Sequence, residues 1–285
     1  MDTCKGSCSP QPAASVGVST STSPLSKPAL LFGRTSHQQS TTTVDVDGIA
    51  HVSDSPSEFE ILDEDGPCLV IAKPAGVPTQ APPQYDSLEQ RIRRFLKQRE
   101  DHPGQPYLGV PHRLDRPVSG VMLFARNVRA TRRLAEQFQG RTITKKYWAL
   151  VEGHLPVSSG TWVDWMRKIP GVAQAEILDQ EHPDGRQAIL HFQVLRQSSR
   201  WTWLEIELET GRTHQIRLQA SSRGFPILGD HQYGAITPFG PSVQHKREKW
   251  IGLHARSIAF RHPMTHIHKR KTAPLPSPWQ DLLDE

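Results

Sequence analysis

Ala188, Leu190, Phe192 and Val194 fall at every second position, and so do Leu204, Ile206 and Leu208. An apolar residue at each alternate position turns one side of an extended chain toward a core, so both runs read as half-buried β-strands. Phe59 to Leu62, Cys68 to Ala72, Val121 to Ala125, Thr142 to Val151 and Ser257 to Phe260 add further strands. The first two flank the acidic turn Asp63-Glu64-Asp65-Gly66, and Lys73-Pro74-Ala75-Gly76 breaks the second. Helices are fewer. Asp86 to Arg99 carries capping-box spacing at Ser87 and Gln90, with Leu88, Ile92, Phe95 and Leu96 on one face. Val128 to Gln139 follows Asn127 as N-cap and ends at Gly140. A short helix is expected from Thr213 to Ser222. The strands outnumber the helices and are not regularly separated by them, which predicts an α+β domain with a largely antiparallel sheet.

Residues 1–57 have a different character. They are rich in Ser, Thr, Pro and Gln, and their apolar residues show no period. Such a stretch buries too little surface to offset its ordering entropy, so it is expected to be a disordered tail, with the folded domain over 58–285. The tail holds Lys5, Lys27 and Arg34 against Asp2, Asp45, Asp47 and Asp54, so the chain's formal net charge of +5 belongs to the folded part. That charge is compatible with a polyanionic partner without requiring one. The three cysteines, Cys4, Cys8 and Cys68, have no regular spacing. They argue against a disulfide framework and for a reducing compartment, expected to be the cytoplasm. No stretch has the length of apolar sequence that a membrane span needs. His262, His266 and His268 lack acidic or Cys partners beside them, and no metal is expected there.

Chemistry concentrates in two segments. The first is Pro111-His112-Arg113-Leu114-Asp115-Arg116-Pro117-Val118-Ser119-Gly120, a charged loop bracketed by Pro and Gly between short apolar runs. A lone Asp between two arginines is commonly a solvated ion pair, but loops on a rigid scaffold are also where reactive groups collect. It is not a kinase catalytic loop, since Leu and Asp stand in the wrong order and no glycine-rich loop accompanies them. The second is Thr210-Gly211-Arg212-Thr213-His214-Gln215-Ile216-Arg217-Leu218. On a helix starting near Thr213, His214 and Arg217 share a face and offer donors to an anion, a carboxylate or a phosphate. A tight turn, Phe225-Pro226-Ile227-Leu228-Gly229-Asp230, follows.

Taken in order with Leu69 to Gly76, Lys145-Lys146-Tyr147-Trp148-Ala149 and the final Tyr233-Gly234, these segments resemble the RluA family of RNA pseudouridine synthases, over about Phe59 to Trp279. The resemblance implies the family's catalytic fold, a mixed, largely antiparallel central sheet flanked by helices and loops. It implies Asp115 as the catalytic aspartate, Tyr147 as the active-site tyrosine that stacks on the base and takes the proton from carbon 5, and Arg217 as the partner of Asp115. Arg113 matches the arginine that enters the RNA stack. His112, Arg116, Arg212, His214, Lys145 and Lys146 are expected RNA contacts. The chain departs from the family in carrying Val118 where Thr is usual, and in having no helical RNA-binding domain within residues 1–57.

The implied reaction breaks the ribose–base nitrogen bond, turns the base and rejoins it through carbon. It is redox-neutral and needs neither cofactor nor metal; the expected partner is ribosomal or transfer RNA, met by a monomer without an obligate protein partner. The basic run Arg126, Arg129, Arg132, Arg133, Arg141, Lys145 and Lys146 offers a groove for the RNA backbone, or a solvated helix face. Two other readings compete: a binding protein that has lost catalysis, and a glycosidic hydrolase, which needs a second carboxylate near Asp115, with Asp230 the nearest candidate.

Overall fold

In the computed structural model residues 59–101 and 103–283 are described. The expected tail, with Cys4 and Cys8, lies outside the described residues. In chain order the elements are β1 (Glu60–Asp65), β2 (Cys68–Lys73), α1 (Leu88–Arg99), β3 (Ser119–Ala125), α2 (Val128–Gln139), β4 (Thr144–Glu152), β5 (Ser159–Lys168), β6 (Ala175–Leu178), β7 (Arg186–Gln197), β8 (Trp201–Leu208), α3 (Gln215–Ser221), β9 (Leu253–Arg261), β10 (His268–Thr272) and α4 (Ser277–Leu283). The strands form one ten-stranded sheet in the order β1-β2-β3-β9-β4-β8-β7-β5-β6, with β10 beside β9. Only the short β3–β9 pairing, Ser119 and Gly120 against His254 and Ala255, is parallel among the described strands. The domain is α+β with a mixed, mostly antiparallel sheet, as the strand spacing predicts.

Both long helices begin where their capping residues put them. The Ser87 hydroxyl accepts from the Gln90 N–H at 3.3 Å, and Asn127 Oδ1 accepts from the Ala130 N–H at 2.8 Å. Because Ser87 caps, Asp86 stays outside α1 and pairs with Arg91 and Arg94. At the end of α2, Gly140 keeps a right-handed conformation, and Arg141 takes the left-handed one at φ +56°. Leu88, Ile92 and Leu96 of α1 and Ala130 and Leu134 of α2 are fully buried in the main core with β2 and β3.

Alternation along β4 separates two environments. Ala149 and Val151 join the main core, while Leu150 enters a second cluster with Trp201, Leu228, Phe239 and Trp279 of α4.

Three strands lie outside the sequence expectation. In β5, Trp162 and Met166 are buried, but Asp164, Arg167 and Lys168 dilute the pattern. β6 has only four residues. In β10, His-Lys-Arg-Lys-Thr has no apolar residue at all. Lysines on such an edge deter further strand pairing. They also explain the acidic segment read as a turn: Asp63 and Asp65 lie within β1, where Lys269 and Lys271 ion-pair with them, and the chain turns at Gly66 instead.

Gly120 is where the sheet is tightest. It sits at φ +121°, and a Cβ there would lie 2.3 Å from the Ala255 carbonyl oxygen and 2.5 Å from its nitrogen. Both neighbours are backbone and cannot rotate away. Gly120→Ala is expected to cost about 3 kcal/mol or more of stability, read by urea denaturation.

Candidate active site

The loop carrying Asp115 is held from beneath by two buried side chains. Thr79 Oγ1 donates to the Leu114 carbonyl at 2.8 Å and accepts the Leu114 N–H at 3.1 Å. Lys73, 1% exposed, donates from Nζ to the carbonyls of Val118 (2.6 Å), Pro74 (2.9 Å) and Arg116 (3.2 Å). Burial pulls its pKa down to about 7, against the attraction of Asp115. The Asp115 carbonyl accepts from the Val118 N–H at 3.1 Å, closing a turn. Val118 itself is 2% exposed in the main core, so its apolar side chain suits its place. Neither clamp has a sequence signal beyond the Lys-Pro-Ala-Gly break, because each acts across more than thirty residues of chain.

The second segment is shaped by Gln215 and Thr210, both buried. Gln215 Oε1 accepts from Thr210 Oγ1 (2.8 Å) and the Arg212 N–H (3.0 Å), and its amide nitrogen donates to the Ile189 carbonyl (3.1 Å). The helix begins later than expected: His214 is its N-cap, in a left-handed conformation at φ +53°. Even so, His214 and Arg217 converge on one atom. Arg217 Nη1 lies 3.3 Å from Asp115 Oδ2, and His214 Nε2 lies 3.5 Å from the same oxygen. Asp115 Oδ1 has no protein partner among the described residues, and the side chain is 24% exposed.

Arg217 has a stronger partner that the sequence reading missed. It donates to both oxygens of Asp230, from Nε at 2.6 Å and Nη2 at 2.8 Å, and Nη2 also reaches Gln232 Oε1 at 2.9 Å. Asp230 is 2% exposed. Burial works against the charge on Arg217, but the pair with Asp230 outweighs it and raises its pKa. Asp230 is therefore no free second acid of the kind a glycosidic hydrolase needs.

Asp115, His214 and Arg217 border a cleft of about 830 Å³, within the range of small-molecule sites. Asp115, Tyr147, Arg217, Arg113, Lys145, Arg212, His112 and His214 all line it. Sequence reasoning did not single out Lys168, which also lines it, from the end of β5. Burial, and then the charge on Asp115, raise the pKa of the Tyr147 phenol and keep it protonated.

Several expected contacts are committed elsewhere. Lys146 follows the alternation of β4 to the opposite face, where it pairs with Glu205 at 2.5 Å. Arg116 does not line the cleft; its carbonyl supports Lys73 and the Gly76 N–H. The His112 ring stacks on Phe138 at 4.4 Å, and its Nε2 accepts the Leu123 N–H at 2.9 Å. The basic run divides as well. Arg141 and Lys145 reach the cleft, whereas Arg126 pairs with Glu64 and Glu100, Arg132 with Glu136, and Arg133 with the Pro263 carbonyl. His262 is buried and bonded to Thr265 and the Asp65 carbonyl.

Burial pushes His112 down to about 3 and His254 down to about 4. Folding therefore favours their neutral forms, and that contribution is complete above the ordinary histidine value of 6.5. As pH falls below it, the unfolded chain takes up protons that the folded chain refuses. The thermal midpoint is expected to drop between pH 6.5 and about 4, and less steeply in His112→Gln, whose amide oxygen still accepts the Leu123 N–H.

The arrangement has counterparts. A family model described as RNA pseudouridylate synthase matches residues 67–222, spanning both chemical segments. The chain belongs to the RluA family of RNA pseudouridine synthases. Like other RNA pseudouridine synthases, it is an isomerase. It is 35% identical over 234 residues to ribosomal large subunit pseudouridine synthase D of Pseudomonas aeruginosa, covering 79% of this chain and 71% of that one. It is 31% identical over 239 residues to tRNA pseudouridine synthase C of Haemophilus influenzae, covering 80% and 97%. The solved structure of human RNA pseudouridylate synthase domain containing 4 superposes with a TM-score of 0.64 at 26% identity, covering 79% of this synthase and 91% of the human chain.

Proposed function

We propose that this synthase isomerises uridine in ribosomal or transfer RNA, with Asp115 acting at the ribose carbon and no cofactor. The observation that carries this reading is the state of one carboxylate. Oδ2 of Asp115 is held by Arg217 and His214, while Oδ1 has no protein partner among the described residues, and the residue lines the cleft. A carboxylate so placed suits an electron-poor sugar carbon, as nucleophile or as stabiliser and base. The chemistry needs no redox partner, because one carbon–nitrogen bond is exchanged for one carbon–carbon bond. The two substrate classes are those in the names of the relatives just given.

The target uridine leaves its stack to reach Asp115, and Tyr147 lies under the base. Because its phenol is held protonated in the free enzyme, Tyr147 serves as a relay: its own proton leaves to a solvent base as the carbon-5 proton arrives, and the freed ring nitrogen N1 takes up a proton from solvent. Arg113, Arg141, Lys145, Lys168 and Arg212 supply positive charge along the cleft. RNA affinity is therefore expected to fall steeply with added salt. The cleft is complete within one chain, which suits a monomer. The irregular cysteines suit a reducing compartment, the cytoplasm.

The test is tritium release from unmodified RNA labelled at uridine carbon 5. The wild-type enzyme is expected to release tritium into water and leave pseudouridine in the RNA. Tyr147→Phe is expected to bind RNA with unchanged affinity and turn over slowly. Release of free uracil would replace this reading with a hydrolase, and RNA binding without release would replace it with a binding protein.

A further inference from the structure

Tyr233 does not itself line the cleft, yet its hydroxyl sits at the centre of a chain of polar contacts leading to Asp115. The hydroxyl oxygen accepts the Ala175 N–H at 3.0 Å and lies 2.8 Å from His214 Nδ1. A phenol has one proton to donate and lone pairs to accept with. The Ala175 amide is a donor only, so it takes one lone pair. Among the described residues, the hydroxyl proton then has one acceptor within reach, Nδ1 of His214. A neutral imidazole that accepts at Nδ1 carries its own proton on Nε2. Nε2 is the atom that faces Asp115 Oδ2.

We propose that Tyr233 and His214 are positioning residues for Asp115: the Tyr233 hydroxyl holds His214 in the Nε2–H tautomer, and that N–H, with Arg217, fixes Oδ2 and leaves Oδ1 for the ribose. The proposal rests on the reading of Asp115 as the reacting carboxylate. The 3.5 Å separation is an electrostatic contact in the free enzyme, and such contacts commonly tighten when substrate fills the site. The left-handed backbone at His214 serves the same end, since it lets the ring span from Tyr233 to Asp115. A non-glycine residue in that conformation is uncommon and calls for a local reason.

The electrostatics agree. Burial lowers the His214 pKa and keeps the ring neutral; Asp115 and Asp230 oppose that effect, and Arg217 and Arg113 reinforce it. Tyr233 also packs its ring against the Arg217 guanidinium at 5.0 Å, and Gln232 links Arg217 to the Ala173 carbonyl. The His214 ring meets the Tyr233 ring edge-on at 5.6 Å, which directs Nδ1 at the hydroxyl. His214 is thus assigned to the carboxylate and not to an RNA phosphate.

The experiment is a long-range proton–nitrogen NMR correlation on the full-length enzyme with nitrogen-labelled histidine, alongside steady-state kinetics. The wild-type His214 ring is expected to show a protonated Nε2 and a bare Nδ1 through neutral pH. Tyr233→Phe keeps the ring on Arg217 and removes the hydroxyl. It is expected to mix the His214 tautomers and lower kcat by up to about tenfold, the worth of one neutral hydrogen bond, with KM unchanged. His214→Gln, whose amide donates from nearly the place of Nε2, is expected to retain more turnover than His214→Leu, though both face the same backbone cost.

A protonated Nδ1 in the wild-type enzyme overturns the proposal, whatever the variants do. So does a rise in KM at constant kcat for His214→Leu, which would return His214 to RNA binding. Full turnover in Tyr233→Phe beside an inactive Asp115→Asn overturns the tautomer lock alone. Full turnover in Asp115→Asn overturns the Asp115 reading and the positioning role together.

Discussion

Asp115→Asn is expected to lower tritium release from carbon-5-labelled RNA by about a thousandfold or more and to leave the fold intact. The two halves of that expectation have separate causes. Turnover falls because an amide is neither a nucleophile nor a base at the sugar carbon. Stability holds because the charge on Arg217 is already matched by two short bonds to Asp230, so neutralising Asp115 strands no buried ion. The carboxylate is also partly exposed, at 24%, and its loss removes little burial. Kinetics and urea denaturation on the same preparation check both halves. A stable Asp115→Asn enzyme that still releases tritium would remove Asp115 from the chemistry.

Arg217→Ala is expected to behave differently, losing both turnover and about 3–5 kcal/mol of stability, because it leaves Asp230 buried without its counter-ion. A simple loss of activity in this variant would therefore mislead. The double change Arg217→Met with Asp230→Leu removes both charges together. It is expected to recover most of the stability and none of the turnover. If the double variant regains activity, Arg217 serves only the fold; if Arg217→Ala is as stable as wild type, the pair with Asp230 is not the brace described above. Gln232 loses an Nη2 donor in either variant, but its amide still reaches the Ala173 carbonyl.

The contrast between these two variants follows the line between what was readable in the chain and what was not. Local physics was legible. Alternation at Ala188–Val194 and Leu204–Leu208 placed β7 and β8, and the caps at Ser87 and Asn127 started α1 and α2, because each depends on residues within a few positions of one another. The order of the motifs was legible too, and with it the family. Strands without such a local pattern were not. β10 has no apolar residue, and its place depends on pairing with β9 and on Lys269 and Lys271 meeting Asp63 and Asp65.

Partnership was the other limit. Asp115, Tyr147 and Arg217 could be named from the sequence, and they do line one cleft. That Arg217 binds Asp230 more closely than Asp115 could not be read, since both distances are set by how the Asp115 loop and the Asp230 turn fold back onto α3 and neither is fixed by local sequence. Lys145 and Lys146 are adjacent and chemically alike, yet pleating sends the first to the cleft and the second to Glu205. Arg126, Arg132 and Arg133 look like one basic surface, but Arg126 turns to Glu64 of β1, Arg132 to Glu136 on its own helix and Arg133 to the Pro263 carbonyl. The sequence by itself determined the strands and helices that carry a local pattern, and the order of motifs that marks the family, because propensity, capping and alternation act over short range. Tertiary structure decided which charges meet, which nitrogen of His214 faces Asp115 and which cations are left for RNA, because those depend on how distant segments close around a shared buried site.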